Sequence, residues 1–551
     1  MNITCPRPNV EMVCKMNLVS RLTGREVGGQ IRSYLTLPSA SMSKLRISHR
    51  VMGHLSPIFC VAFDRTGRYA FTGADDSLVK VWDVEKGLLR FTFRGHEKEL
   101  SDISVNYENT MLATGSIDKT SGKTLEVFNS HSAQLTVVRF LPYVHENDRY
   151  LMSTGNDGVV NFYKWNVVTG AFEHPVRFFE REVVNQRIIS HCHSPGGTFV
   201  AFGDTCRSIR VFRITPTGVT KIVVLTSHND RVDSMEWANS GLKFLSGSKD
   251  GVAKVWVLEN GKFNFTNLVV EPNDEERKPN SKKNGYRLTI LCWSKNDTVV
   301  ITAGSDHLIR TWNWKTGQSL HVIKGHDADA FVLIPHPIYQ NYVLSAGHDG
   351  FIVVWDVING KVITTVKDKN DSQVNTALFD MALSPDGTRV AAVDCQGYLL
   401  LLGINEHTTT GSVPDEQFFD TDYRELLFDV NGFALDAGSG LAPHLMPPPV
   451  LINGQGFPLD NYQSLVPGRD IDGYHADLEL KCAWLTRSLV DSFTTHQLTD
   501  SFERHFALRI EEDNVLYDTS GPMNVVFSAT PIQTGKPYFL ICFEILCTAA
   551  F

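Results

Sequence analysis

Apolar and polar residues alternate with a period of two over much of the chain, in short runs such as Leu78-Val79-Lys80-Val81-Trp82 and Ala253-Lys254-Val255-Trp256. Glycine and aspartate bound these runs. Successive side chains of a strand point to opposite faces, so the pattern predicts short antiparallel strands joined by tight turns. One phrase recurs among them: a Ser or Thr, an Asp four positions later, and a strand ending in an aromatic residue six positions after that Asp. It runs Thr72, Asp76, Trp82; Ser153, Asp157, Tyr163; Ser246, Asp250, Trp256; Thr302, Asp306, Trp312; and Ser345, Asp349, Trp355. A histidine after Gly or Ser precedes several copies: His54, His96, His131, His228 and His326.

A unit of about 42 residues carrying a Gly-His mark and a Trp-Asp-type mark is the signature of a WD40 blade of four strands. The fold class predicted is therefore all-β, a WD40 β-propeller. His, Ser and Asp also make up a hydrolase triad, but a triad occurs once and this set recurs in blade after blade. We therefore read the residues as structural hydrogen-bond networks, with Thr114 and Asp118 in the second copy, and expect no catalytic residue. Loss of His54 should destabilise the first blade and leave no reaction missing.

Eight copies can be counted. A degenerate copy ends at Phe212 with Cys206 in the Asp position, and another ends at Leu402 with Gln396 there. The last copy offers three strands, while 44–52 has no other partner. This segment is expected to close the ring as the outer strand of the final blade, removing a sheet edge, and cutting before residue 53 should open the ring. In the second copy Asp118 lies seven residues nearer to the next histidine than Asp76 does in the first. That deficit is one strand long and takes the aromatic residue with it. Blade 2 is thus expected to be incomplete, with Lys123–Phe128 moved into the third-strand position or poorly ordered, as skipping of an exon would produce.

Composition narrows the function classes. The chain has 551 residues, 42% of them hydrophobic and 21% charged, with a formal charge of -9. An acidic chain lacks the clustered Lys and Arg that displace counterions from phosphate, so no direct nucleic-acid binding is expected. The ten cysteines are scattered without metal or redox spacing, and neither a metal nor a cofactor is expected. Pro6, Pro8, Glu11 and Lys15 break any apolar leader, and the longest apolar stretch, Phe539 to Phe551, is shorter than the ~20 residues that span a bilayer. A reduced, soluble protein is expected.

Gly53 to Gly67, Val105 to Met111, Ser345 to Gly350, and above all Ala442-Pro-His-Leu-Met-Pro-Pro-Pro449 with Leu465-Val-Pro-Gly-Arg469, resemble the bromodomain and WD-repeat family over 44–470. The resemblance implies an eight-repeat propeller in a nuclear chromatin regulator, with the cytoplasm as a second location. It also implies roles in transcription and in cell shape and cytoskeletal organisation. No bromodomain fits 471–551, so acetyl-lysine reading is not carried over. Recruitment of substrates to a cullin-4 ubiquitin ligase is the alternative the family implies. The Trp-Asp-x-Arg box used for adaptor docking is not matched, because Trp82-Asp-Val-Glu85 and Trp355-Asp-Val-Ile358 lack the arginine.

The organisation expected is a poorly ordered 1–43, a propeller over 44–405, a Pro- and aromatic-rich extension over 406–470 packed on its flank, and an unassigned tail over 471–551 with a helix at 476–506. The mixed-charge insertion Glu271 to Arg287 reads as a solvated loop rather than a basic patch. The residue before each network Asp should sit in a turn at the channel face: Asp75, Ile117, Asn156, Lys249, Ser305 and His348. Their varied chemistry suits a protein or peptide partner, the partner being a chromatin-associated factor or the cullin-4 adaptor. The leading expectation is a non-enzymatic interaction scaffold. A propeller enzyme ranks third, since no unrepeated cluster of His, Asp, Glu or Cys stands out.

Overall fold

In the computed structural model the described residues are 42–96, 98–116, 127–180, 186–270, 286–367, 376–404, 413–428, 434–459, 462–463, 466 and 539–545. They form eight four-stranded sheets whose innermost strands meet in a ring, each against the next and the eighth against the first. We letter the strands of a blade a to d from the channel outwards. Blade 1 comprises a (Ile58–Phe63), b (Tyr69–Ala74), c (Val79–Asp83) and d (Leu88–Phe93), all antiparallel.

Burial follows position in the blade. Every residue of strand b in blade 1 is buried, as is every residue of Met111–Ser116, Val299–Gly304 and Tyr342–Gly347 in blades 2, 6 and 7. Strand d lies on the perimeter, and Lys262–Val269 of blade 5 is mostly exposed. The inner strands are covered on both faces by neighbouring blades, which is why they read as apolar runs rather than clean alternation. Phe71, Val79 and Val81 of blade 1 pack in one cluster with Leu100, Ile103 and Leu112 of blade 2. Burying each such side chain contributes about 1.5–3 kcal/mol, so inter-blade packing is the main adhesive of the ring.

Blade 8 takes its a, b and c strands from Leu378–Leu383, Arg389–Asp394 and Tyr398–Gly403, and Arg46–Met52 pairs antiparallel with the last of these as its outer strand. Blade 2 departs from the expectation. Its a strand (Leu100–Val105) and b strand (Met111–Ser116) pair normally, and Val127–His131 stays outermost, in the d position. The third position is filled by Phe539–Ile545, which runs parallel to both neighbours. The expected inward move does not hold: Val127 and Phe128 stay in the d position and the sheet has four strands, while the alternative of poor order concerns 117–126, which lie outside the described residues. Strand d must run parallel to strand b in an up-and-down blade, so deleting c leaves a slot rather than a three-stranded sheet. Residues 539–545 of the tail therefore belong to the propeller.

The extension lies on blade 1 and the closing strand. Met52 N donates to Asp415 O at 2.7 Å, and Gln417 N donates to Met52 O at 2.9 Å. The Gln417 side chain accepts from Leu89 N at 2.8 Å and donates to Gly87 O at 2.9 Å. Phe419, Leu451 and Val466 join Trp82 and Leu89 in one core. Asp422 forms an ion pair with Lys80 in which both side chains are fully buried. Residues 1–41, the 476–506 helix, Ile117, Asp118 and 271–285 of the insertion lie outside the described residues.

Candidate functional site: the blade networks and the channel rim

In blade 1 the Trp82 indole donates to Thr72 Oγ1 at 2.9 Å, and that oxygen lies 2.8 Å from His54 Nε2. The other ring nitrogen, Nδ1, lies 2.9 Å from an Asp76 oxygen. An indole can only donate and an ionised carboxylate can only accept. The directions are therefore fixed: Trp82 to Thr72, the Thr72 hydroxyl to Nε2, and Nδ1–H to Asp76. Burial alone would raise the Asp76 carboxyl, but His54, Lys80 and the Tyr423 hydroxyl outweigh it and hold the group below its usual range.

The network repeats with variations. In blade 7 His326 bridges Asp349 at 2.9 Å and Ser345 at 2.6 Å, and Trp355 donates to Ser345 at 2.7 Å. In blade 3 His131 bridges Asp157 at 3.1 Å and Ser153 at 2.7 Å, with Tyr163 as the aromatic residue. In blade 5 His228 is 2.7 Å from Ser246, to which Trp256 donates at 2.9 Å, while Asp250 stands 3.7 Å off. In blade 6 Trp312 donates to Thr302 at 2.8 Å and Asp306 pairs with Arg310. Tyr286 takes the histidine's place there, with the Arg310 guanidinium 5.1 Å from its ring centroid. In blade 2 His96 meets Thr114 at 2.9 Å. The glycine of the Gly-His pair has its own reason: a Cβ on Gly53 would sit 2.2 Å from the Trp82 ring, and one on Gly325 would sit 2.4 Å from the Trp355 ring.

Sequence reasoning missed how the degenerate copies compensate. The Asp has moved two positions earlier in both. Asp204 accepts from Cys206 N and Ser208 N, and Asp394 accepts from Gln396 N and Tyr398 N, at 2.8–2.9 Å. In blade 4 Gln186 donates to Asp204 at 2.7 Å from the histidine position, and buried Arg210 pairs with Asp204. Asp204 and Asp394 are the last residues of their b strands, whereas the regular Asp lies two residues on, in the turn.

The face residues occupy equivalent turns. Asp75, Asn156, Lys249, Ser305 and His348 each donate their backbone N–H to the residue just before, or at the foot of, strand a of their own blade. Only three come together. Lys249 and Ser305 line one cavity of about 710 Å³ with Arg231, Arg287, Asp233 and Phe331, and His348 packs on Phe331 with ring centroids 4.4 Å apart. Asp75 and Asn156 lie on other blades. Burial and the neighbouring Glu99 and Asp76 raise the Asp75 carboxyl.

A second set at this rim was not foreseen. In each blade the pairing of strands a and b slips at the start of strand a, so that one residue bulges: Phe59, Ser101, Thr136, Ile189, Asp233, Thr289, Phe331 and Phe379 in ring order. A bulge re-aims its side chain. Three consecutive blades, 7, 8 and 1, place phenylalanine there. Phe379 stacks on Phe59 at 5.3 Å and meets His348 at 5.9 Å, so Phe331, His348, Phe379 and Phe59 form one aromatic arc. Phe59 and Phe331 are each 41% exposed.

Deeper in the channel the a strands are tied across blades by acidic residues. Asp380 accepts from Val61 N at 2.9 Å, and Asp102 accepts from Val138 N at 2.9 Å while pairing with Arg139 at 2.7 Å. Glu236 accepts from Trp293 N. Burial pushes Asp380 up to about 7 and Glu236 up to about 8. Among the described residues no group of His, Cys, Asp or Glu is arranged to hold a metal, and none of the helices is long and apolar enough to cross a membrane.

Comparison with known proteins agrees with this geometry. The WD domain, G-beta repeat model matches residues 46–83, 87–120, 219–257, 281–313 and 317–356. A bromodomain and WD repeat-containing protein of Dictyostelium discoideum is 25% identical over 84% of this chain, which spans 25% of that protein's length. The transcriptional corepressor LEUNIG_HOMOLOG of Arabidopsis thaliana is 24% identical over 54% of the chain and 35% of its own length. The nuclear distribution protein nudF of Aspergillus niger is 22% identical over 58% and 63% respectively. The chain is an all-β propeller of WD40 repeats, similar to the WD-repeat part of the bromodomain and WD-repeat proteins.

Proposed function

We propose that the chain is a non-enzymatic scaffold that holds a protein partner at the channel rim, in a nuclear, transcription-related setting. The observation that carries this reading is a contrast in exposure. The His, Ser or Thr, and Asp sets recur and are shut inside the blades, with His54 and Thr72 fully buried, so their hydroxyls and imidazoles have no route to a substrate. The aromatic arc and the cations beside it face outwards, and exposed aromatic residues next to charge are the usual anchors of protein recognition. The similarity to a bromodomain and WD repeat-containing protein and to a transcriptional corepressor supports the transcription-related setting.

The test is affinity purification of the full chain from nuclear extract, beside a Phe331→Ala/Phe379→Ala variant of equal thermal stability. Partners that are identified by mass spectrometry and lost with the variant support the reading. Identical partner sets with both proteins would place recognition elsewhere. Turnover of an ester substrate that disappears with His54→Ala would instead revive a hydrolase.

A further inference from the structure

We infer that the rim sector over blades 5 to 8 and blade 1 takes an acidic peptide carrying an aromatic or large apolar residue, an inference that rests on the scaffold reading above. The cavity spans three blades: Arg231, Asp233 and Lys249 come from blade 5, Arg287 and Ser305 from blade 6, and Phe331 from blade 7. Each of its carboxylates has a basic group beside it. Asp233 pairs with Arg231 at 2.9 Å and Asp329 with His307 at 3.0 Å. Lys249 stands close enough to Asp233 to favour its ionised form, while Arg287 forms no ion pair among the described residues and its side chain is exposed. The cavity thus sets three cations, Arg231, Lys249 and Arg287, against two carboxylates, Asp233 and Asp329, beside apolar Leu288, Ile290 and Phe331.

The aromatic arc begins where the cavity ends, because Phe331 belongs to both. Its rings continue through His348 and Phe379 to Phe59. An extended ligand with carboxylates over Lys249 and Arg287 would lay its next apolar side chain on this arc. Charge-assisted hydrogen bonds would fix its register, and ring stacking would supply desolvated contact area. A basic peptide would meet Lys249 and Arg287 as like charges. A nucleic acid would bring a phosphate with every nucleotide to a chain of formal charge -9, where a short peptide brings only a few carboxylates.

The experiment uses the full chain and fluorescein-labelled, end-capped peptides in polarisation titrations. Glu-Glu-Phe-Glu-Glu is expected to bind at least about tenfold more tightly than Glu-Glu-Ala-Glu-Glu or Lys-Lys-Phe-Lys-Lys. Lys249→Glu/Arg287→Glu should remove the acidic preference, and Phe331→Ala/Phe379→Ala the preference for Phe. Equal binding of the acidic and basic peptides, or tighter binding of a short oligonucleotide than of any peptide, overturns the inference. So does unchanged binding in both double variants. If the peptides fail while Phe331→Ala/Phe379→Ala still loses partners in the purification, the ligand class is wrong and the scaffold reading stands. If neither responds, both fall.

Discussion

Blades 1 and 2 sit side by side, share a core and have the same strand order in space, yet they are assembled differently. Blade 1 is one continuous run from Ile58 to Phe93, with a complete relay from Trp82 to Asp76 and an extension clamped over it by Asp422. Blade 2 has lost the stretch that would carry its third strand and its aromatic residue, and takes in Phe539–Ile545 instead. The register pairs Leu112 with Leu540, where blade 1 pairs Ala70 with Trp82. The comparison separates two requirements. A backbone slot between two parallel strands accepts any extended apolar segment, because ladder hydrogen bonds carry no side-chain code. The network needs the right residues in the right direction, which a parallel strand does not provide.

The largest effect expected is on the side of blade 1. Asp422→Ala leaves the Lys80 ammonium buried without its carboxylate, which should cost about 3–5 kcal/mol by urea denaturation. A loss below about 1 kcal/mol would mean that water reaches the pair. Next comes His54→Ala, which strands a buried hydroxyl and a carboxylate and should cost about 1–3 kcal/mol. His96→Ala in blade 2 should cost less, and equal losses would erase the proposed difference between the two networks.

A local effect should follow from Ile541→Pro, since proline removes one ladder donor and is excluded from central strands. Hydrogen exchange should then speed up at Met111–Ser116 and Phe539–Ile545, with Tyr69–Ala74 and Tyr342–Gly347 unchanged. Amides at 539–545 that already exchange at the unprotected rate in the unaltered chain would show that the slot is not filled by this strand.

The smallest effect concerns pH and lies away from both blades, as their common background. Glu236 is raised to about 8 by burial. Its contribution is therefore present below the ordinary carboxylate range and is lost as pH rises toward that value. Asp250 behaves in the opposite way. Burial would raise it, but His228 and two backbone N–H groups hold it near 2. Its contribution is present above the ordinary range and is lost as pH falls toward that value. Glu236→Gln should flatten a plot of melting temperature against pH between the ordinary carboxylate range and about 8, and leave the acid side alone. An unchanged slope in that window would move the titration to another group.

Much of this arrangement was legible in the sequence because it is local. Strands a to d of a blade follow one another in the chain, and the network partners His54, Thr72, Asp76 and Trp82 lie within thirty residues, so a repeated spacing reports a repeated geometry. The absence of a strand in the second copy was legible for the same reason, as a change in that spacing. Its replacement was not. Phe539–Ile545 is an apolar run without any mark of a blade, and nothing local says where such a run will pair.

The rim shows the same limit. Lys249, Ser305 and His348 hold equivalent positions in three repeats, and a count by repeat finds them with Asp75 and Asn156 without distinguishing among the five. Phe59, Phe331 and Phe379 each look like ordinary strand residues in their own repeats. They become one surface only when a bulge turns each side chain out and closure of the ring brings blade 8 against blade 1, joining residues 320 positions apart. Short-range alternation, turn residues and hydrogen-bond partners dictated the blades. The filled slot, the cavity and the aromatic arc arose from packing between segments distant in the chain, where contact depends on the closed ring rather than on any spacing within a repeat.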